Sequence, residues 1–137
     1  MFQWILNRNV RTSAQAHALG ERLRREGNAL LAQGALQEAE LCYRQAVAAD
    51  PEVPSFHISL GFVLMQMQRW DEAQTELNKA DNIDANNADC HYMLAELAER
   101  RLDFEKAAEH FQLASMLSAL ACCKAIWYGA GSIKNMV

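Results

Sequence analysis

The chain has 137 residues, 51% hydrophobic and 22% charged, a balance that fits one folded domain and argues against extended disorder. Its net charge of −4 combines +3 over residues 1–27 (Arg8, Arg11, Arg22, Arg24 and Arg25 against Glu21 and Glu26) with −7 over the remainder. A phosphate-tracking surface needs clustered Lys and Arg over much of a domain, so no nucleic-acid binding is expected. Two prolines, six glycines and few β-branched residues, against many Ala, Leu, Glu, Gln and Arg, make the expected fold all-α.

Residues 1–12, MFQWILNRNVRT, precede any regular pattern. The apolar run MFQWIL is too short for a signal peptide core or a membrane span, and no other run reaches that length, so no integral membrane association is expected. Phe2, Trp4, Ile5 and Val10 form a short amphipathic piece expected to cover the apolar face of the first helix pair. Cys42, Cys90, Cys122 and Cys123 show no C-x-x-C spacing, which points to reduced thiols in a cytoplasmic protein.

From Ser13, a good N-cap residue, apolar or small residues recur at Ala16, Leu19, Leu23, Gly27, Leu30 and Leu31, in helical steps. The spacing predicts a helix from about Ala14 to Gln33, ended by Gly34. A second helix is predicted from about Leu36 to Ala49, closed by Asp50-Pro51, because proline disfavours helical geometry in the residue before it.

The pattern then repeats every 34 residues, in units 20–53, 54–87 and 88–121 without insertion. The eighth place of each unit is Gly27, Gly61 and Ala95; the twentieth is Ala39, Ala73 and Ala107; the twenty-seventh is Ala46, Ala80 and Ala114. Two antiparallel helices cross closely only where small residues meet, so the eighth and twentieth places read as the crossing within each hairpin. The small twenty-seventh place lets the next hairpin lie close, and Leu30, Leu64, Tyr43, Leu77 and Phe111 fill the space between. Hairpins stacked in one direction make a curved solenoid.

The organisation expected is therefore residues 1–19 as an arm and helix start, 20–121 as three hairpins, and 122–137 as a partial helix and tail. In CCKAIWYG, Ala125, Tyr128 and Gly129 occupy the fourth, seventh and eighth places of a fourth unit, like the start of a further first helix. This end makes a poor polar cap. Trp4 and Ile5 at one end, with Ile126, Trp127 and Tyr128 at the other, are candidate contacts for a homo-oligomer or a further domain.

The motif W-x2-L-G-x2-Y, A-x3-F, P with a 34-residue period is met by Leu60-Gly61, Ala39-x3-Tyr43, Ala73-x3-Leu77, Ala107-x3-Phe111 and Pro51. On these residues the chain resembles a tetratricopeptide repeat (TPR) protein over residues 20–121. Departures are Leu23, His57 and His91 in place of Trp at the fourth place, Glu26 where Leu is usual, and Ala85 and Ala119 in place of the closing proline. The resemblance implies a right-handed solenoid whose first helices line a concave groove for a peptide or helix of another protein.

The groove residues so implied are Arg24, Asn28, Ile58, Phe62, Met65, Tyr92, Met93 and Glu96. Arg24 and Asn28 stand at two places that clamp a terminal carboxylate in chaperone-binding relatives. Ser59, Asp89 and Met93 replace the Asn, Lys and Arg of that clamp, so a chaperone-tail clamp is disfavoured and only an acidic ligand residue meeting Arg24 stays open. The layout also resembles the small bacterial secretion chaperones.

No phosphate loop, nucleophile elbow or H-E-x-x-H occurs, so no catalytic residue, enzyme activity or cofactor is expected. Cys90-His91 with Cys122-Cys123 invites a metal reading, but cysteine as a small core hydrophobe and histidine filling a Trp-shaped place is the expectation, with no metal.

Overall fold

The computed structural model describes residues 12–130, with side chains as far as residue 118. Within them the chain forms six helices: α1 (Ser13–Ala32), α2 (Leu36–Ala49), α3 (Pro54–Gln66), α4 (Trp70–Ile83), α5 (Ala88–Arg100) and α6 (Phe104–Ala130). Consecutive helices pair as hairpins α1/α2, α3/α4 and α5/α6, and the first helices of neighbouring hairpins also touch, α1 on α3 and α3 on α5. The fold is an all-α solenoid.

Local chemistry sets each helix boundary. The cap of α1 is Thr12 rather than Ser13: its hydroxyl accepts from the Gln15 N–H, and the Gln15 side chain accepts from the Thr12 N–H. Pro54 opens α3, where its missing N–H costs nothing, and the Asn87 side chain caps α5 by accepting from the Cys90 N–H. Asp50 and Asp84 leave helical geometry at the ends of α2 and α4, and each carboxylate then accepts an N–H two residues on.

All three hairpin turns share one geometry. The fifteenth place of each unit is left-handed: Gly34 (φ 81°), Gln68 (φ 62°) and Leu102 (φ 63°). Paired bonds close each turn, for example Gln68 N–H to Met65 O at 3.0 Å and Arg69 N–H to Leu64 O at 2.9 Å, satisfying carbonyls at the end of the first helix. Only the first turn uses glycine. Leu102→Gly should therefore raise the unfolding free energy by about 0.5–1 kcal/mol, relief of left-handed strain exceeding the added chain entropy. Leu102 is 74% exposed, so no core contact is lost; urea denaturation measures the gain.

The nine small residues of the three columns are all buried. A Cβ on Gly27 would lie 2.7 Å from the Tyr43 ring, and one on Gly61 would lie 2.9 Å from Leu77. The eighth place is thus the seat of the large residue at the twenty-fourth. Leu60, Val63, Leu64, Leu77, Leu94 and Leu97 complete the core between hairpins.

The third hairpin departs from the sequence expectation. Residues 122–129, expected to resemble the start of a further first helix, lie on α6, which runs without a break from Phe104 to Ala130. Where α2 and α4 stop at aspartate, this unit has Ser118 followed by Ala119, Leu120 and Ala121, with neither an acidic turn residue nor proline to end the helix.

Candidate functional site

The first helices α1, α3 and α5 lie side by side and form one face. Between them opens a cavity of about 390 Å³ lined by Asn28, Leu31, Tyr43, Ile58, Ser59, Phe62, Asp89, Tyr92 and Met93. Five of the expected groove residues, Asn28, Ile58, Phe62, Tyr92 and Met93, therefore meet in one concavity. Tyr92 is 49% exposed, and its ring is fixed edge-on against Phe111 at 5.6 Å between centroids.

Three expected groove residues lie elsewhere or act differently. Met65 is 2% exposed and belongs to the core. The twelfth place is half-buried as Leu31, buried as Met65 and exposed as Glu99; among the described residues only α3 has a first helix on both sides. Arg24 turns onto its own helix, its Nη2 and Nε donating to Glu21 Oε2 at 2.9 and 3.3 Å. Glu96 is half-buried on α5, outside the cavity wall. Met93 lines the cavity but is only 8% exposed, so it forms floor rather than rim.

Asn28 also has an internal role, since its Oδ1 accepts from the Tyr43 hydroxyl. Burial pushes the Tyr43 phenol pKa up, which keeps that donor protonated. Tyr43 reaches the cavity from a second helix, past Gly27. Its signal in the sequence was the side-chain-free eighth place beside a polar-tipped aromatic. Arg24 meets Glu21 through a half-buried pair on its own helix, so an acidic ligand residue would have to share or displace that contact.

The fourth-place histidines are structural. His57 Nε2 faces the Pro51 carbonyl at 2.7 Å and Nδ1 faces Glu76 Oε2 at 2.8 Å, both within hydrogen-bond reach. His91 repeats the arrangement, with Nε2 2.8 Å from the Ala85 carbonyl and Nδ1 3.3 Å from His110 Nδ1. Each ties the inter-hairpin loop to the second helix. Burial, with the nearby His91, pushes His110 below the usual histidine value. Burial and then the Asp81 and Asp84 carboxylates push the Cys90 thiol up to about 12, and it donates to the Leu77 carbonyl as a core residue. Trp4 and Ile5, and the side chains of Ile126, Trp127, Tyr128, Cys122 and Cys123, lie outside the described residues.

Among the described residues no helix is long and apolar enough to cross a membrane. A tetratricopeptide repeat family model matches residues 30–97. The E3 ubiquitin-protein ligase CHIP of Arabidopsis thaliana is 26% identical over 99 residues, covering 72% of this chain and 36% of the ligase. The chain therefore spans about a third of that relative's length. The TPR2B domain of yeast Sti1, in a complex with pHsp70, superposes with a TM-score of 0.73 at 19% identity, over 81% of this chain and 89% of that one. The first TPR of Spaghetti, bound to the HSP90 peptide SRMEEVD, gives a TM-score of 0.71 at 19% identity, over 74% and 80% of the two chains. With three stacked hairpins, small residues at every crossing and a matching family model, this chain belongs to the tetratricopeptide repeat family.

Proposed function

We propose that the chain is a non-catalytic interaction scaffold whose concave face holds a segment of another protein. The observation that carries this reading is the 390 Å³ concavity, in which Leu31, Ile58, Phe62 and Tyr92 from three successive first helices present apolar surface to solvent. Contiguous exposed apolar surface at a concave site is the usual mark of a binding surface. The first TPR of Spaghetti, bound to a peptide, supports a segment-binding role for such a fold. The buried free thiol of Cys90 fits a reducing compartment, the cytoplasm.

Ordering a flexible segment costs entropy, so micromolar affinity is expected. The test is capture of partners by the wild type and by the Phe62→Ala/Tyr92→Ala double variant, followed by titration of the captured segment as a synthetic peptide. Loss of two aromatic anchors should weaken binding by at least about 100-fold, with circular dichroism showing retained helicity. Equal binding by both proteins would remove the groove from the reading.

A second reading is self-assembly through an end of the solenoid. It is favoured by α6, whose 27 residues extend well past the 13-residue α5, the one helix on which it packs among the described residues. Light scattering across concentrations separates the two readings: a strict monomer removes assembly.

A further inference from the structure

The charges along the three first helices are unevenly distributed, and the inference drawn from them rests on the groove reading above. On α1, Arg24 is paired with Glu21, and Arg25 is exposed beside them. On α3 the groove residues Ile58, Ser59 and Phe62 carry no charge. On α5, Asp89, Tyr92, Glu96 and Glu99 follow one another at helical steps of three and four, so they form one stripe along the helix. None of the ion pairs among the described residues involves Asp89, Glu96 or Glu99, and Arg100, the one cation nearby on that helix, is turned over the Trp70 ring at 5.9 Å.

Asp89 and Tyr92 are shared by two adjoining concavities. One is the 390 Å³ cavity with Ile58, Phe62 and Met93; the other, about 330 Å³, continues between α5 and α6 past Phe111, Ala114 and Ser118. A chain lying along both must pass over Tyr92. At that crossing it meets an exposed aromatic face, clamped edge-on by Phe111, with Asp89 one turn before it and Glu96 one turn after it.

We propose that the occupant is a protein segment pairing an apolar side chain, seated on Ile58, Phe62 and Met93, with an arginine or lysine laid across Tyr92 between Asp89 and Glu96. An aromatic face attracts a cation through its quadrupole, and the two carboxylates add charge complementarity and fix the direction in which the segment lies. Acidic segments are disfavoured along this stripe, because Asp89 and Glu96 repel them.

A displayed library of random 12-residue peptides, selected on the intact chain, tests this. The wild type should enrich peptides with Arg or Lys next to aliphatic or aromatic residues. In titrations of a selected peptide, changing its basic residue to Gln should weaken binding by about tenfold at low salt, and the difference should shrink as salt rises. The Asp89→Asn/Glu96→Gln variant should lose the preference for the basic residue while still binding the apolar peptide. Enrichment that depends on Phe62 but shows no basic preference, or an acidic one, would overturn the charge assignment and leave the groove standing. Selection indifferent to Phe62→Ala would overturn the groove reading and this inference with it.

Discussion

Truncating Leu77 to alanine should lower the unfolding free energy by about 2–5 kcal/mol. Leu77 is fully buried and stands against Gly61, whose missing side chain makes room for it. An alanine there opens a void facing Gly61, which has no side chain to fill it. Urea denaturation should show a lower midpoint with an unchanged slope, the mark of lost packing rather than an altered denatured state. A loss under about 1 kcal/mol would mean that α3 and α4 close up freely, against the close-packed crossing described above.

Replacing Glu76 with alanine should cost a similar amount, about 3–5 kcal/mol, because it leaves a buried histidine without its partner. Both ring nitrogens of His57 face oxygens, the Glu76 carboxylate and the Pro51 carbonyl, so only the imidazolium can donate to both. The hydrogen bond to Glu76 accordingly raises the His57 pKa above its ordinary 6.5, and the same bond lowers Glu76 below its ordinary 4.5, with Lys79 adding to the effect. For His57 the stabilisation is complete below pH 6.5 and is lost as pH rises through the raised folded value. For Glu76 it is present above pH 4.5 and is lost as pH falls through the lowered folded value.

The pair therefore stabilises most between those two ordinary values, and the deficit of Glu76→Ala against wild type should be largest there and shrink toward pH 8. His110 acts in the opposite sense. Its lowered pKa gives stability that is present above pH 6.5 and lost on acidification, but this is common to both proteins and cancels in the difference. Chemical denaturation of the two proteins from pH 4 to pH 8 reads the effect. Replacing both partners, His57→Leu with Glu76→Leu, should recover part of the loss: no orphaned charge is left, but the Pro51 carbonyl loses its donor.

The hairpin array was legible because its causes are local and repeated. Gly27, Gly61 and Ala95 recur at one place for a steric reason that operates between residues sixteen apart in the same hairpin, as Gly27 and Tyr43 do. Helix ends at Gly34 and Pro51 follow from backbone geometry that the residues themselves impose. The run of α6 through residue 121 is legible in part: Ala119 stands where a closing proline is usual, but Ala85 does so too without prolonging α4, and it is Ser118 in place of Asp50 and Asp84 that sets the third unit apart.

The sequence by itself determined the all-α class, the 34-residue period, the buried small columns and the identity of the three first helices that make the concave face. Those depend on spacing along one helix or across one turn. Only the tertiary structure decided which residues on that face are free to meet a partner. Helical spacing places Leu31, Met65 and Glu99 alike, yet in the stacked hairpins one is half-buried, one buried and one exposed. Spacing likewise offers Asn28 to a ligand, whereas its Oδ1 also accepts from Tyr43. That contact exists only once the second helix has folded back on the first, while the Arg24 pair with Glu21 is local to one helical turn.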